Sequence, residues 1–257
     1  MTNPIIGLVA AMPEEIAPFL KRHPATVRQR IGGRSFYRIE TPHCVVHLIE
    51  AGMGPANADA ATRQLLDRGR PHLLGSVGFC GAITTQPAVG DLVAADSSYL
   101  LDQQHLRPQS GIDRSATERT MELLHRHLQS PDITCYRGAF VTTPVSIAKK
   151  RVAELIADQA AVSALEMETA IVARVAQTEQ IPFLGLRSVS DAADEELAFD
   201  ITDFTDDALR IRPAKVVWAI TKRPGLIPQL VRLARNARIA GNSLALAMTI
   251  LTEKYYA

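Results

Sequence analysis

Val162-Ser163-Ala164-Leu165-Glu166-Met167-Glu168-Thr169-Ala170, followed by Phe183-Leu184-Gly185-Leu186-Arg187-Ser188-Val189-Ser190-Asp191, is the part of the chain whose reading decides the fold. Val162–Leu165 is short and apolar and reads as a strand. Met167–Thr178 has helical spacing, and Phe183–Val189 is again an apolar strand. Strand, helix and strand in direct succession imply an α/β sheet with helices on its faces. Both strands also run into acidic groups, Glu166 and Glu168 after the first and Asp191 after the second. A carboxylate beside an apolar run is costly unless it has a partner or a task. The two sites together predict a pocket that handles hydroxyls and protons.

The same alternation extends outward. Pro4–Ala11 reads as a buried strand, and Pro13 opens a helix with Glu14 and Glu15 in its first turn, at the positive end of the helix dipole. Strands are expected at Phe36–Ile39 and Val45–Ile49, joined by a turn near Thr41-Pro42-His43. Gly52-Met53-Gly54-Pro55 turns the chain into a helix from Ala56 to Asp67. Leu73–Phe79 is a strand ending in Gly78-Phe79-Cys80-Gly81, and Gly90-Asp91 introduces another at Leu92–Ala95. Asp102–Ser115 reads as a polar surface loop, Thr117–Leu128 as a helix, Ile133–Thr142 as a strand and Ile147–Asp158 as a helix. The expected architecture is a single three-layer α/β/α unit around a central mixed, twisted sheet. It spans residues 1–210, and a helical extension over 211–257 packs on the same core. Asp194–Asp207 is acidic. Pro213 and Pro224-Gly225 mark breaks before two helices, Leu226–Ala237 and Ile239–Tyr255.

Composition narrows the function classes. At 257 residues one large domain suffices, and a net charge of +1 gives no reason to expect nucleic acid or acidic lipid as a partner. The arginines of the last forty residues leave room for a local basic surface but read better as a solvated helix face. No apolar run reaches the roughly 18 residues of a membrane span, and the N-terminus has no basic leader or cleavage site. Cys44, Cys80 and Cys135 form no CxxC pair and fit a reducing cytoplasm. Cys80 lacks the His or Asn signature of a nucleophilic thiol, and the seven histidines show no metal-ligand pattern. No G-x-G-x-x-G follows the first strand, which argues against a dinucleotide. Neither a metal nor a cofactor is expected.

In open α/β sheets ligands bind beyond the carboxyl ends of the strands. Five features fall there: Ala11-Met12-Pro13-Glu14-Glu15, Gly52-Met53-Gly54, Gly78-Phe79-Cys80-Gly81, Glu166-Met167-Glu168 and Ser190-Asp191. In this order they resemble the nucleoside phosphorylase/nucleosidase superfamily, and within it the bacterial 5′-methylthioadenosine/S-adenosylhomocysteine nucleosidases. Leu165-Glu166-Met167-Glu168-Thr169-Ala170 and Arg187-Ser188-Val189-Ser190-Asp191 are the most diagnostic pieces, and the likeness covers roughly residues 4 to 195.

The resemblance implies cleavage of an N-glycosidic bond in a 5′-modified, adenosine-type purine nucleoside. It assigns Asp191 to proton delivery at purine N7 and Glu15 to activation of the attacking water. Glu168 would bind the ribose hydroxyls, with Met167 and Met12 lining the sugar. Ile147 would offer backbone hydrogen bonds to the base, while Arg187 and Ser190 support the water and Asp191. Phe79 stands where those nucleosidases have a small hydroxyl residue beside the water, and Pro144-Val145-Ser146-Ile147 replaces their aromatic base clamp. Glu166 receives no chemical role and reads as a structural partner. Holding a proton near neutral pH requires an apolar site around Asp191, and its place after Phe183–Val189 predicts one.

Alternatives stay open at this point. The tail, with Lys222-Arg223-Pro224-Gly225-Leu226-Ile227-Pro228-Gln229-Leu230, resembles the hopanoid-associated phosphorylase branch. A phosphorylase using phosphate on adenosine with a bulky apolar 5′ group is therefore the rival reading. A nucleoside-binding protein with degraded catalysis is the third. The resemblance also suggests a homodimer.

Overall fold

The computed structural model describes residues 3–24, 26–103, 105–145, 147–157, 159–195, 215, 218 and 222–257. Strand β1 (Ile5–Ala10) is at its centre. Its unbroken apolar run suits a strand covered on both faces, and it pairs in parallel with β4 (Val45–Glu50) and β5 (Leu73–Ala82). Leu8 faces one apolar cluster, with Phe19, Leu244 and Met248. Val9 faces another, with Leu65, Val172 and Phe183. Helices thus cover both sides of the sheet.

Following β1, Pro13 begins α1 (Pro13–Arg22). The hairpin of β2 (Val27–Ile31) and β3 (Arg34–Glu40) turns at Gly32 and Gly33, whose φ values of 54° and 82° lie where side chains are strained. Helix α2 (Pro55–Leu66) leads from β4 to β5. Then come β6 (Leu92–Asp102), β7 (His105–Gln109), α3 (Arg114–His127), β8 (Cys135–Thr142) and α4 (Lys149–Ile156). The deciding stretch forms β9 (Ser163–Glu166), α5 (Thr169–Thr178) and β10 (Phe183–Asp191), and α6 (Ile227–Lys254) ends the chain.

The strand order is β10-β6-β8-β9-β5-β1-β4-β3-β2, and β10 also pairs with β5. Strands β5, β10, β6, β8 and β9 therefore close into a ring, while β1, β4, β3 and β2 extend from it as an open wing. The sheet is mixed as expected: β10 is parallel to β5 and antiparallel to β6.

Three expectations change. Asp102–Ser115 is not one loop, because β7 folds back on β6 and α3 begins at Arg114. The polar exterior of that hairpin gave no alternating signal. Strand β2, exposed along most of its length, escaped notice for the same reason. The two expected C-terminal helices are one continuous α6, since nothing around Ala237 and Arg238 breaks a helix. Its second half is buried, with Leu244, Met248 and Leu251 packed in the core beside α1 and β10. The expected boundary between 210 and 211, and most of the acidic stretch Asp194–Asp207, lie outside the described residues.

Candidate active site

The carboxyl ends of β1, β4, β5 and β10 converge, and each brings a polar group. Glu15 is the third residue of α1, yet it turns back toward β1 and is 2 % exposed. One oxygen accepts the N–H groups of Ala11 and Met12, both at 2.8 Å, and the other accepts the Phe79 N–H at 2.8 Å. Burial raises its pKa above the usual carboxylate value, and the Arg187 charge and these three N–H donors pull the other way without cancelling it. A carboxyl held in this way can take a proton from water.

Arg187 lies in the middle of β10 and is 1 % exposed. Its Nη2 is 2.6 Å from Glu166 Oε2, 2.9 Å from Ser76 Oγ, 3.1 Å from Thr169 Oγ1 and 3.5 Å from Glu168 Oε2. Glu166 in turn accepts the N–H groups of Glu168 at 2.9 Å and Thr169 at 2.7 Å, and its other oxygen takes the Thr142 hydroxyl. A carboxylate over the first turn of α5 suits the helix dipole. Glu166 is the structural partner its sequence position suggested.

Glu168 accepts the Gly54 N–H at 2.8 Å. Its pKa is pushed up to about 7, by burial first and then by the charges of Glu166 and Glu15, while Arg187 and the Gly54 N–H oppose the rise. Glu15, Glu166 and Glu168 thus surround a single guanidinium, and burial opposes full ionisation of Glu15 and Glu168. Gly78 makes this crowding possible: a Cβ there would strike the Glu15 carboxylate and lie 2.5 Å from Arg187 Nη1.

Asp191 ends β10 at a different kind of place. Its surroundings are not the apolar ones expected from Phe183–Val189: the side chain is 20 % exposed and Lys149 Nζ contacts Oδ2. The strand leaves the core at its last residue, and α4 delivers a lysine to it. The Ser190 hydroxyl donates to Asp191 Oδ1 at 2.7 Å. Beneath the pair sits Gly81, whose Cβ would come within 2.7 Å of Oδ2 and 2.8 Å of Lys149 Cε.

The remaining sequence candidates spread around this centre. Met12 lines a cavity of about 330 Å³ with Gly52, Met53, Arg30, Arg34 and Asn57. Met167 is half-buried at the turn between β9 and α5. Phe79 contributes its N–H to Glu15, but its ring packs into the core on the side of α6, near Gly241. Ile147 is half-buried against the cluster of Leu101, Val141 and Val152. Glu15, Glu168 and Arg187 are brought into one network, and Ser190 and Asp191 into another.

Sequence reasoning missed Ser76, Thr142, Thr169, the Gly54 N–H and Lys149. For Lys149 a signal existed. Lys149-Lys150-Arg151 put three cations in the first turn of a helix, the end that disfavours them. Among the described residues no group of three His, Cys, Asp or Glu side chains could hold a metal ion. No described helix is long and apolar enough to cross a membrane.

A family model described as "Phosphorylase superfamily" matches residues 5–222. A 5′-methylthioadenosine/S-adenosylhomocysteine nucleosidase of Exiguobacterium sp. is 28% identical over 231 residues, 85% of this chain and 97% of the relative. One from Listeria welshimeri is 30% identical over 213 residues, 77% of this chain and 91% of that protein. Among solved structures, the futalosine hydrolase of Helicobacter pylori superimposes with a TM-score of 0.73 at 17% identity, covering 97% of each chain. That last likeness is one of fold.

Proposed function

The chain belongs to the phosphorylase superfamily, and from that premise we propose that it is a purine nucleosidase, an enzyme that uses water to cleave the N-glycosidic bond of a 5′-modified adenosine and release adenine. The nucleosidase names of the relatives support this. The observation that carries it is the ratio of three buried carboxylates to one guanidinium.

Breaking a glycosidic bond leaves a cation-like ribose, and fixed negative charge around it lowers the barrier. In this reading Glu168 receives the ribose hydroxyls, Glu15 takes a proton from the attacking water, and Asp191 protonates N7 of the departing base. Arg187 keeps the carboxylates from repelling one another apart. The cavity beside Met12 and Met53 gives the 5′ group somewhere to go.

Phosphorolysis is the second reading, favoured by Arg30 and Arg34 on that same cavity. Yet Arg34 is bound to the Ala51 carbonyl at 3.0 Å and to Asn57 Oδ1 at 3.0 Å, and an anion near Glu15 and Glu168 would be repelled. Hydrolysis is the better fit. Mass-spectrometric product analysis on a nucleoside panel, with and without phosphate, tests both. Adenine and a free ribosyl sugar without phosphate are expected; a sugar phosphate appearing only with phosphate indicates phosphorolysis, and no free base from any purine nucleoside ends the enzyme reading.

Two lesser parts belong to the proposal. Three free cysteines fit a reducing cytoplasm. A homodimer would cover Val145, which is 63 % exposed on the loop before α4; light scattering checks it.

A further inference from the structure

Lys149 is the first residue of α4 and its side chain is only 10 % exposed. A cation at a helix N-terminus is disfavoured by the dipole, and a buried one is costlier still, so this position needs a compensating grip. The grip is complete. An ammonium has three protons to donate, and Nζ has three acceptors: Asp191 Oδ2, the Asp191 carbonyl at 3.2 Å and the Ala192 carbonyl at 2.6 Å.

The end of β10 is held from the other side as well. The Ala192 N–H donates to Glu195 Oε2 at 3.3 Å, and Glu195 meets Asn236 Nδ2 at 3.2 Å and Arg232 Nε at 3.5 Å, both from α6. With Ser190 on Oδ1 and Lys149 on Oδ2, each oxygen of the Asp191 carboxyl group has one fixed partner. The Cys80 thiol also lies close to the pair; burial pushes its pKa far up, so it stays neutral.

We propose that Lys149 is a positioning residue for protonation of the leaving base: it aims the Asp191 carboxyl group and stabilises the carboxylate that remains when the proton has gone. The inference rests on the nucleosidase reading. In the step concerned, Asp191 has first taken a proton from solvent, to which its side chain is 20 % exposed. The bond between C1′ and N9 then breaks with both electrons going to the purine, N7 gains that proton, and C1′ is captured by the water that Glu15 deprotonates. The resulting carboxylate stays against the Lys149 ammonium. Attraction to Lys149 grows as the charge on Asp191 develops, so it acts on the transition state more than on bound substrate. Lys149 touches no reacting atom and works through Asp191.

The test compares wild type, Lys149→Met and Lys149→Arg in the full chain, with 5′-methylthioadenosine as the probe, reading kcat, KM and melting temperature. For Lys149→Met, kcat should fall about 100-fold, at the lower end of what positioned acid–base groups contribute, while KM stays within about threefold. Lys149→Arg should recover a tenth or more of the wild-type kcat. In an Asp191→Asn background, Lys149→Met should add less than about threefold, because two residues acting as a unit are not additive. A Lys149→Met kcat within threefold of wild type overturns the inference, as does a rise in KM with kcat unchanged. Equal losses of melting temperature and activity in both lysine variants, with no recovery by Arg, also overturn it, since they mark a strap for the fold alone. If the wild type releases no purine base, the nucleosidase reading falls and takes this inference with it; an active wild type with an indifferent Lys149→Met removes the inference alone.

Discussion

The two halves of the pocket hold charge in opposite ways. Around Arg187, three carboxylates are buried beside one guanidinium, and six backbone N–H groups are spent on them, from Ala11, Met12, Phe79, Gly54, Glu168 and Thr169. Around Asp191, at the rim, one carboxylate meets one ammonium and one hydroxyl. The interior half crowds three acidic groups around one cation, and burial raises the pKa of Glu15 and Glu168. Under the proposed function, a cationic sugar arriving there would favour their charged forms. The rim half is balanced and partly open to solvent, which fits the proposed role of Asp191 as a proton donor refilled from water. Chemistry and stability should therefore separate between them.

Asp191→Asn gives the largest expected effect. Release of purine base should drop by about 10²–10⁴-fold, while the melting temperature falls less than in any change at Arg187, because Lys149 keeps its two carbonyl acceptors. Activity assays paired with thermal melts measure both. A fully active variant would erase the distinction between the halves.

Arg187→Met should do the reverse at the interior. Removing one partner of a buried pair typically costs about 3–5 kcal/mol, and here Glu166 would keep its N–H donors but lose its countercharge. Denaturant unfolding should reveal that loss; a cost below about 1 kcal/mol would mean that the backbone alone holds the carboxylates.

Glu168→Gln sharpens the picture with the smallest effect. The Glu168 pKa is raised from about 4.5 to about 7 by burial and by the neighbouring carboxylates. Between those values the folded chain retains a proton that the unfolded chain has released, so stability falls as pH rises through the window. Glutamine removes that dependence and can still accept from Gly54. The variant should be more stable than wild type at pH 8, by on the order of 1 kcal/mol or about 2–4 °C. The advantage should fade toward pH 4.5. Melts at both pH values decide, and an advantage that grows on acidification contradicts the raised value.

Much of this site could be read in the chain. Glu166, Glu168 and Asp191 stand out because acidic groups follow apolar strands, while Arg187 and Ser190 were assigned only through the family resemblance and the close approach at Gly78 emerged only in the fold. Lys149 could not be linked to Asp191, since the two are far apart in sequence and lie on different elements. Phe79 shows the converse. Its position in the motif was plain, but only the pleat of β5 decides that its N–H faces Glu15 while its ring faces α6. The exposed β2 and β7 left no burial pattern to read.

By itself, then, the sequence determined the alternation of buried strands and helices and the acidic residues at their ends, because burial and hydrogen bonding act locally along a chain. Tertiary structure decided which of those ends meet. The closing of β10 onto β5 sets Arg187 opposite Gly78 and Val189 opposite Cys80, and α4 brings Lys149 to Asp191. These pairings join residues far apart in sequence, and their energies come from desolvation and charge balance inside a shared pocket, quantities that no single stretch of sequence carries.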